Sequence, residues 1–476
     1  MKDVFDDVVL KLFQELSKIP RESEHEKAAS DWIKAWSEER GFEVDQDEIY
    51  DLIIRKPASP GYEDHPPVII QAHMDMVCEK NSDSDHNFET DPIELKIDGE
   101  WLTSANGTTL GADDGIGVAT AMAILDDDTL QHPPLEVIMT SQEETTFAGA
   151  ETVDLSKCKA KRLINLDHAN EKEIIVGSCG GTGAELTLEL EREAAVPADM
   201  AAFHVKLTGM KGGHSGEDIH RGRGNAISLL FRFLESPGLK LVCASGGTNR
   251  LAIPREAEAV VMAKDEAAAR EAAEAAKAIF RKEYSSTAPD LDILVEPAEG
   301  IELPPVTDAA FARLDAVIRL YPNGIVQMNG DFDGIVESSD NIGILSVDEK
   351  GLSLISETRA AYRSTVEDIK KSIEAVAALA GAKVEFFGYY APWEFTVDSK
   401  LGPMAVETYT ELFGEGAKMI ALHAGLETGF FAERDPELDM ISIGPDCQSF
   451  HSPDERVRIE SVGHTFEMLK ALLAKL

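Results

Sequence analysis

Apolar positions near the start of the chain recur with helical period. Val4, Phe5, Val8, Val9, Leu12, Phe13 and Leu16 mark one face, and their spacing predicts an amphipathic helix over residues 2–18. A second helix is expected after the turn at Pro20, from Ser23 to Arg40, with Ser23 and Glu26 at capping-box spacing. The period then shortens. FEVDQDEIYDLIIRK and PPVIIQAHMDMV read as strands, a helix near 114–126 opens from GTTLGADDGIG, and LEVIMTSQEE and RLINLDH supply two more strands. Short buried strands between helices indicate an α/β sandwich with helices on both faces.

From about Ala184 the texture changes. ELTLELERE, FHVKLTG and EAEAVVMAK alternate with period two, and DEAAAREAAEAAKAIFRKE reads as an Ala-rich helix. SLISETRAAYRS alternates again, and a helix is expected over Val366–Leu379. After Trp393 the first texture returns, with a helix near 401–413 and strands in KMIALHAG and DMISIGPD. The expectation is one discontinuous α/β domain, residues 1–183 and 392–476, interrupted by a second α/β domain over 184–391. A length of 476 residues suits two cores better than one.

Charge narrows the function. Lys and Arg number 45 against 87 Asp and Glu, a net of −42. Such a chain offers no basic face for nucleic acid or for an anionic membrane surface. Most of the acid is a solvated coat. Five scattered cysteines, with no CxxC pair, read as reduced thiols. Residues 1–16 have no signal-peptide core, and no run approaches 18 apolar residues, so a cytoplasmic protein is expected.

The remaining acids gather at strand ends. In QAHMDMV, His73 and Asp75 are two apart and point the same way, a pairing that suits a divalent metal. Asp75 is then either a ligand or the carboxylate that fixes the His73 tautomer; an ordinary capped histidine is the plain alternative. LGADDGIG sets Asp113 beside Asp114, of which a helix cap needs only one. LEVIMT runs into Glu143 and Glu144, whose side chains diverge, so one can bind metal while the other faces a water. LINLDH ends at Asp167, and SIGPDCQSFHSPDER carries His451. Together these are the N and O donors of a carboxylate-bridged metal pair. No GxSxG elbow and no cysteine with a nearby base supports a nucleophile mechanism.

The order HxD, GADD, EE, a strand-terminal Asp and a late His resembles the co-catalytic zinc exopeptidases, the clan of aminoacylases, carboxypeptidases and dipeptidases. It is similar above all to the aminoacyl-histidine (Xaa-His) dipeptidase branch. The likeness is carried by QAHMDMVCEK, TSANGTTLGADDGIGVA, TSQEETTFAGA, NLDHANEKEIIVGSCGG, MKGGHSGEDIHRGRGNA, ALHAGLETGFF and GPDCQSFHSPDERV. It implies a three-layer α/β catalytic domain with a large inserted α/β lid, a small peptide substrate and two divalent ions, zinc first and cobalt or manganese as alternatives. Among site residues it implies His73, Asp113, Glu144, Asp167 and His451 as ligands, their division between the ions open. Glu143 would be the general base and Asp75 the partner of His73. His214, in KGGHSGEDIH, would polarise the scissile carbonyl. Asn225 and Arg363 would contact substrate, Arg363 at the C-terminal carboxylate. Arg359, four residues away on what reads as one strand, competes for that task. Asp114 departs from the Asn expected there. A homodimer is the expected assembly.

Overall fold

The computed structural model describes residues 4–414 and 416–476. It divides into two compact units. The first comprises the chain up to Ser178 with Trp393–Leu422 and Leu426–Leu476; the second comprises Cys179–Pro392 and His423–Gly425.

An eight-stranded sheet forms the centre of the first unit. Its order is Glu43–Gln46, Leu52–Lys56, Leu135–Thr140, Val68–His73, Arg162–Asn165, Asp439–Ser442, Glu173–Ser178 and Lys418–Leu422. Leu135–Thr140, Val68–His73, Arg162–Asn165 and Asp439–Ser442 run parallel. Every residue of Val68–His73 and Leu135–Thr140 is buried, which explains why these segments read as continuous apolar runs. Helices Val8–Leu16, Ala112–Asp126, Leu401–Phe413 and Ile459–Lys475 pack together as one set, and Ala148–Thr152 with Thr428–Arg434 as another. A four-stranded sheet, Cys447–Gln448, Arg456–Arg458, Trp101–Ser104 and Leu95–Asp98, stands apart.

Two helix starts differ from expectation. Residues 2 and 3 of the first helix lie outside the described residues. The described part is a short 3-10 turn, Val4–Asp6, and then Val8–Leu16. Asp7 separates them by capping, accepting from Val9 N and Leu10 N at 2.9 and 3.2 Å. The second helix begins at Lys27, not Ser23, and no capping box forms. Ser23 Oγ instead donates to Asp75 Oδ2 at 2.7 Å, and Glu26 accepts from the main chain of Gln142.

The second unit is a nine-stranded antiparallel sheet. Its main path runs Asp292–Pro297, Ala201–Thr208, Ala257–Ala263, Lys240–Gly246, Val336–Asp348, Gly351–Ala360, Gly180–Leu188 and Lys383–Tyr390, and Gly324–Met328 pairs with Val336–Asp348. Burial alternates along Ala201–Thr208, as it must where only one face is covered. Helices Ala226–Leu234, Glu266–Glu283, Asp308–Leu320 and Arg363–Ala380 contribute to its apolar core.

Candidate metal centre

Parallel pairing aligns the ends of Val68–His73 and Leu135–Thr140, with His73 opposite Thr140. Arg162–Asn165 ends beside them. The chain leaving each strand carries Asp75, the Glu143–Glu144 pair and Asp167, and it is at this edge of an open α/β sheet that ligands bind.

His73 is buried. Its Nε2 lies 3.2 Å from Asp113 Oδ1 and 3.9 Å from Asp167 Oδ1. His451 Nε2 lies 3.4 Å from Asp113 Oδ2 and 2.9 Å from Glu144 Oε2. Asp113 thus turns one oxygen to each histidine. The His451 side chain is 47% exposed, whereas that of Glu144 is 6%, so the cluster opens on the His451 side.

The other acids of the group divide by contact. Asp75 sits behind His73, its Oδ1 3.4 Å from Nδ1. Asp114 accepts from His73 N at 3.3 Å and from Gly117 N at 3.1 Å. Although it also comes close to His73 and Asp167, its oxygens serve the main chain, and it is the cap of the pair. Gly117 permits this, because a Cβ there would run into the Asp114 carboxylate.

Electrostatics reflect the crowding. Burial raises the pKa of Glu143, reinforced by Glu144, Glu427 and Asp113. Burial, then Asp113, raises Glu144 and Asp167 likewise. Burial opposes the charge on His451, but Asp113 and Glu144 outweigh it and push the imidazole up to about 11. His73 is raised in the same way, burial being overcome by Asp113 and Asp75. Burial would raise Asp113, yet the two histidines hold it well below the ordinary carboxylate range. Carboxylates packed this closely need cations among them. Among the described residues, three groups bring ligand atoms within 4.8 Å of one another: His73 with Asp114 and Asp167, His73 with Glu143 and Glu144, and Asp113 with Glu144 and His451. Oxygen and imidazole donors, one carboxylate facing both sides, fit a pair of divalent ions.

The strand end that presents Glu143 and Glu144 is held by acids that the sequence does not reveal. Thr140 Oγ1 donates to Glu427 at 2.7 Å, Ser141 N to Asp51 at 2.8 Å and Gln142 N to Glu26 at 2.9 Å. Glu143 N and Glu144 N both donate to Asp75 at 3.1 Å. Burial pushes Asp51 up to about 8 and Glu427 up to about 7. These partners come from distant segments, and no local pattern announces them.

The remaining named residues belong to the second unit. His214 ends the short strand Gly213–His214. Its Nδ1 accepts from Glu217 N at 3.2 Å, which leaves the proton of the neutral ring on Nε2. Asn225 is a helix cap: its Oδ1 accepts from Ile227 N and Ser228 N at 3.0 and 3.3 Å, and its Nδ2 donates to Ile342 O at 2.8 Å. Both polar groups thus serve the fold, whatever part Asn225 takes in substrate contact. Asn225→Ala is expected to lower stability by about 1 kcal/mol, measured by urea unfolding. Arg363 differs from expectation. The strand ends at Ala360 and Arg363 begins the helix Arg363–Ala380, so the even-spacing argument that placed it beside Arg359 fails. The Arg363 guanidinium lies 5.9 Å from the Tyr389 ring, while Arg359 is buried and donates to Tyr390 Oη at 3.0 Å.

The model of peptidase family M20/M25/M40 matches residues 69–475. This chain belongs to that family. It is a metallopeptidase, a hydrolase of peptide bonds. Among M20 relatives, it is 39% identical over 474 residues to the cytosol non-specific dipeptidase of Escherichia coli (strain K12), covering 98% of this chain and 96% of that one. The aminoacylhistidine dipeptidase of Vibrio alginolyticus is 36% identical, with a TM-score of 0.89 and coverage of 100% of this chain and 98% of that one. An aminopeptidase from Bacillus cereus, 16% identical with a TM-score of 0.56 and 98% of both chains covered, shares the fold. Three-layer α/β architecture with an additional α/β unit is thus the M20 fold, as its motifs implied. No helix among the described residues is long and apolar enough to cross a membrane.

Proposed function

We propose that this M20 peptidase is a cytosolic two-metal dipeptidase that accepts Xaa-His among other dipeptides, with zinc as its metal. The carrying observation is the Asp113 carboxylate turned to His73 on one side and His451 on the other, with Glu143 beside Glu144. The dipeptidases of E. coli and V. alginolyticus, matched over nearly their whole length, support the substrate class.

In this reading His73, Asp167, Glu144 and His451 would hold the ions together with Asp113, which faces both histidines. When bound, such a pair polarises a carbonyl and lowers the pKa of a water. Glu143 would take the proton of an attacking water as the water oxygen adds to the scissile carbonyl carbon, and return it to the leaving amine as the C–N bond breaks. Asp75 keeps the His73 ring oriented through Nδ1. His214, in the KGGHSGEDIH segment, would polarise the scissile carbonyl by a hydrogen bond from Nε2–H that strengthens as negative charge builds on the oxygen. Arg363 pairs with the substrate carboxylate.

The test is a turnover panel on protein of measured metal content: carnosine, alanyl-histidine, alanyl-alanine, alanyl-alanine amide, a tripeptide and an N-acetyl amino acid. Dipeptides are expected to exceed the last two by at least tenfold in kcat/KM, and the amide to fall well below its free acid. Preferred turnover of the tripeptide or the N-acetyl amino acid would overturn the dipeptidase reading. Equal turnover of amide and acid would remove Arg363 from the mechanism.

A further inference from the structure

A buried carboxylate and a buried guanidinium lie behind the cluster, and the mechanism uses neither. Glu455, four residues beyond His451, is 2% exposed. Its Oε2 accepts from Leu110 N at 2.7 Å and Gly111 N at 2.9 Å, and its Oε1 from Ala112 N at 2.8 Å and Asp113 N at 3.3 Å. Four consecutive main-chain N–H groups therefore converge on one side chain. Arg21, also buried, donates through Nη1 to Met74 O at 2.9 Å and Asp75 O at 3.0 Å, and through Nη2 to Gly111 O. Gly111 has a φ of 69°, and a Cβ there would run into the Arg21 guanidinium.

The ordinary explanation is helix capping, since Ala112–Asp126 begins in this turn and its first N–H groups need acceptors. A cap from a neighbouring hydroxyl or carboxylate in the same turn would serve that end. Here the acceptor comes instead from the loop that carries His451, and it reaches as far as the amide of Asp113. The guanidinium in turn fastens the same turn to the segment just after His73. Three stretches that carry donor atoms, around 73–75, 110–113 and 451–455, are thus tied through two side chains that meet none of the facing donor atoms.

We infer that Glu455, assisted by Arg21, is a positioning residue that sets the register of Asp113 against His451 and His73, and so fixes the spacing of the two metal positions. Carboxylate binding by four amides is directional, so the Asp113 turn cannot slide along its axis while Glu455 is in place. The inference rests on the metal centre proposed above.

The experiment titrates metal-free protein with zinc against a chromophoric chelator and measures kcat and KM for alanyl-histidine on the reloaded enzyme. Glu455→Gln preserves volume but replaces an acceptor oxygen by an NH2 group that opposes the amides. It is expected to weaken uptake of at least one zinc by roughly 10- to 100-fold, the range seen for groups that orient metal ligands. kcat should fall to a similar degree, with KM within about twofold. Leu469→Ala, in the core of the helix Ile459–Lys475, supplies a comparably destabilised control that should keep wild-type zinc affinity and kcat well below its melting temperature. Glu455→Asp, which keeps the charge but reaches fewer amides, is read in the same way should the Gln variant not fold, with an expected loss of threefold or more. Wild-type zinc affinity in either variant, or a loss no greater than that of Leu469→Ala, overturns the inference. Failure of the wild-type protein to take up a pair of ions would instead overturn the metal centre itself.

Discussion

Glu143→Gln is expected to lower kcat by roughly 10²–10⁴-fold, the range typical for removal of a positioned general base, while metal content stays near that of the wild type. The amide keeps the shape of the side chain and its place beside Glu144 but cannot take a proton. Its main-chain N–H still donates to Asp75, so the turn is not disturbed. KM should change little, since the lost interaction belongs to proton transfer and not to ground-state binding. Steady-state kinetics beside elemental analysis of the same preparation make the check. Activity within tenfold of wild type would assign the base elsewhere.

Removal of a histidine should act through the metal. His73→Ala and His451→Ala are each expected to reduce bound metal from about two ions per chain, the number a co-catalytic pair requires, and to lower activity with it. The two variants should not be equivalent. His73 is buried and Asp75 stands behind it, so its loss leaves buried carboxylates without a partner and should also cost stability. His451 is half exposed on a loop but pairs with Asp113 and Glu144, so in the metal-free protein its variant should also melt lower than wild type, though by less than His73→Ala. Chelation of wild type should abolish hydrolysis, and zinc, cobalt or manganese should restore it. Persistent activity after exhaustive dialysis against chelator would rule out the two-metal mechanism.

The cluster could be read from the sequence because each of its donors leaves an apolar strand or opens a Gly-rich turn, where a carboxylate has no ordinary packing task. The strands around it were equally legible, since parallel strands buried on both faces become continuous apolar runs. Errors arose where a local pattern had a tertiary competitor. Ser23 and Glu26 have the spacing of a capping box, yet Asp75 and Gln142 claim them. The alternation through Arg359 continues in sequence to Arg363, but the chain turns after Ala360 and starts a helix. Asn225, offered as a substrate contact by the family resemblance, stands where a helix needs its cap, which its sequence position after RGRG does not announce. Asp51 and Glu427 could not have been found, because what makes them part of the site is a neighbour far away in the chain.

The strand Asp439–Ser442 lies inside the main sheet of the first unit, between Arg162–Asn165 and Glu173–Ser178. Of these three strands, the middle one is synthesised last. When the ribosome has made the second unit, the strands on either side already exist, and the slot between them is open until residues 439–442 emerge. His451 follows a few residues later, so the last donor arrives just after the strand that closes the sheet. The proposed metal centre therefore cannot assemble before residues 439–451 have emerged, and closing the slot requires contacts between distant parts of the chain, the kind that slow folding. Until then, the edges of Arg162–Asn165 and Glu173–Ser178 that face the slot are open to pairing with other strands.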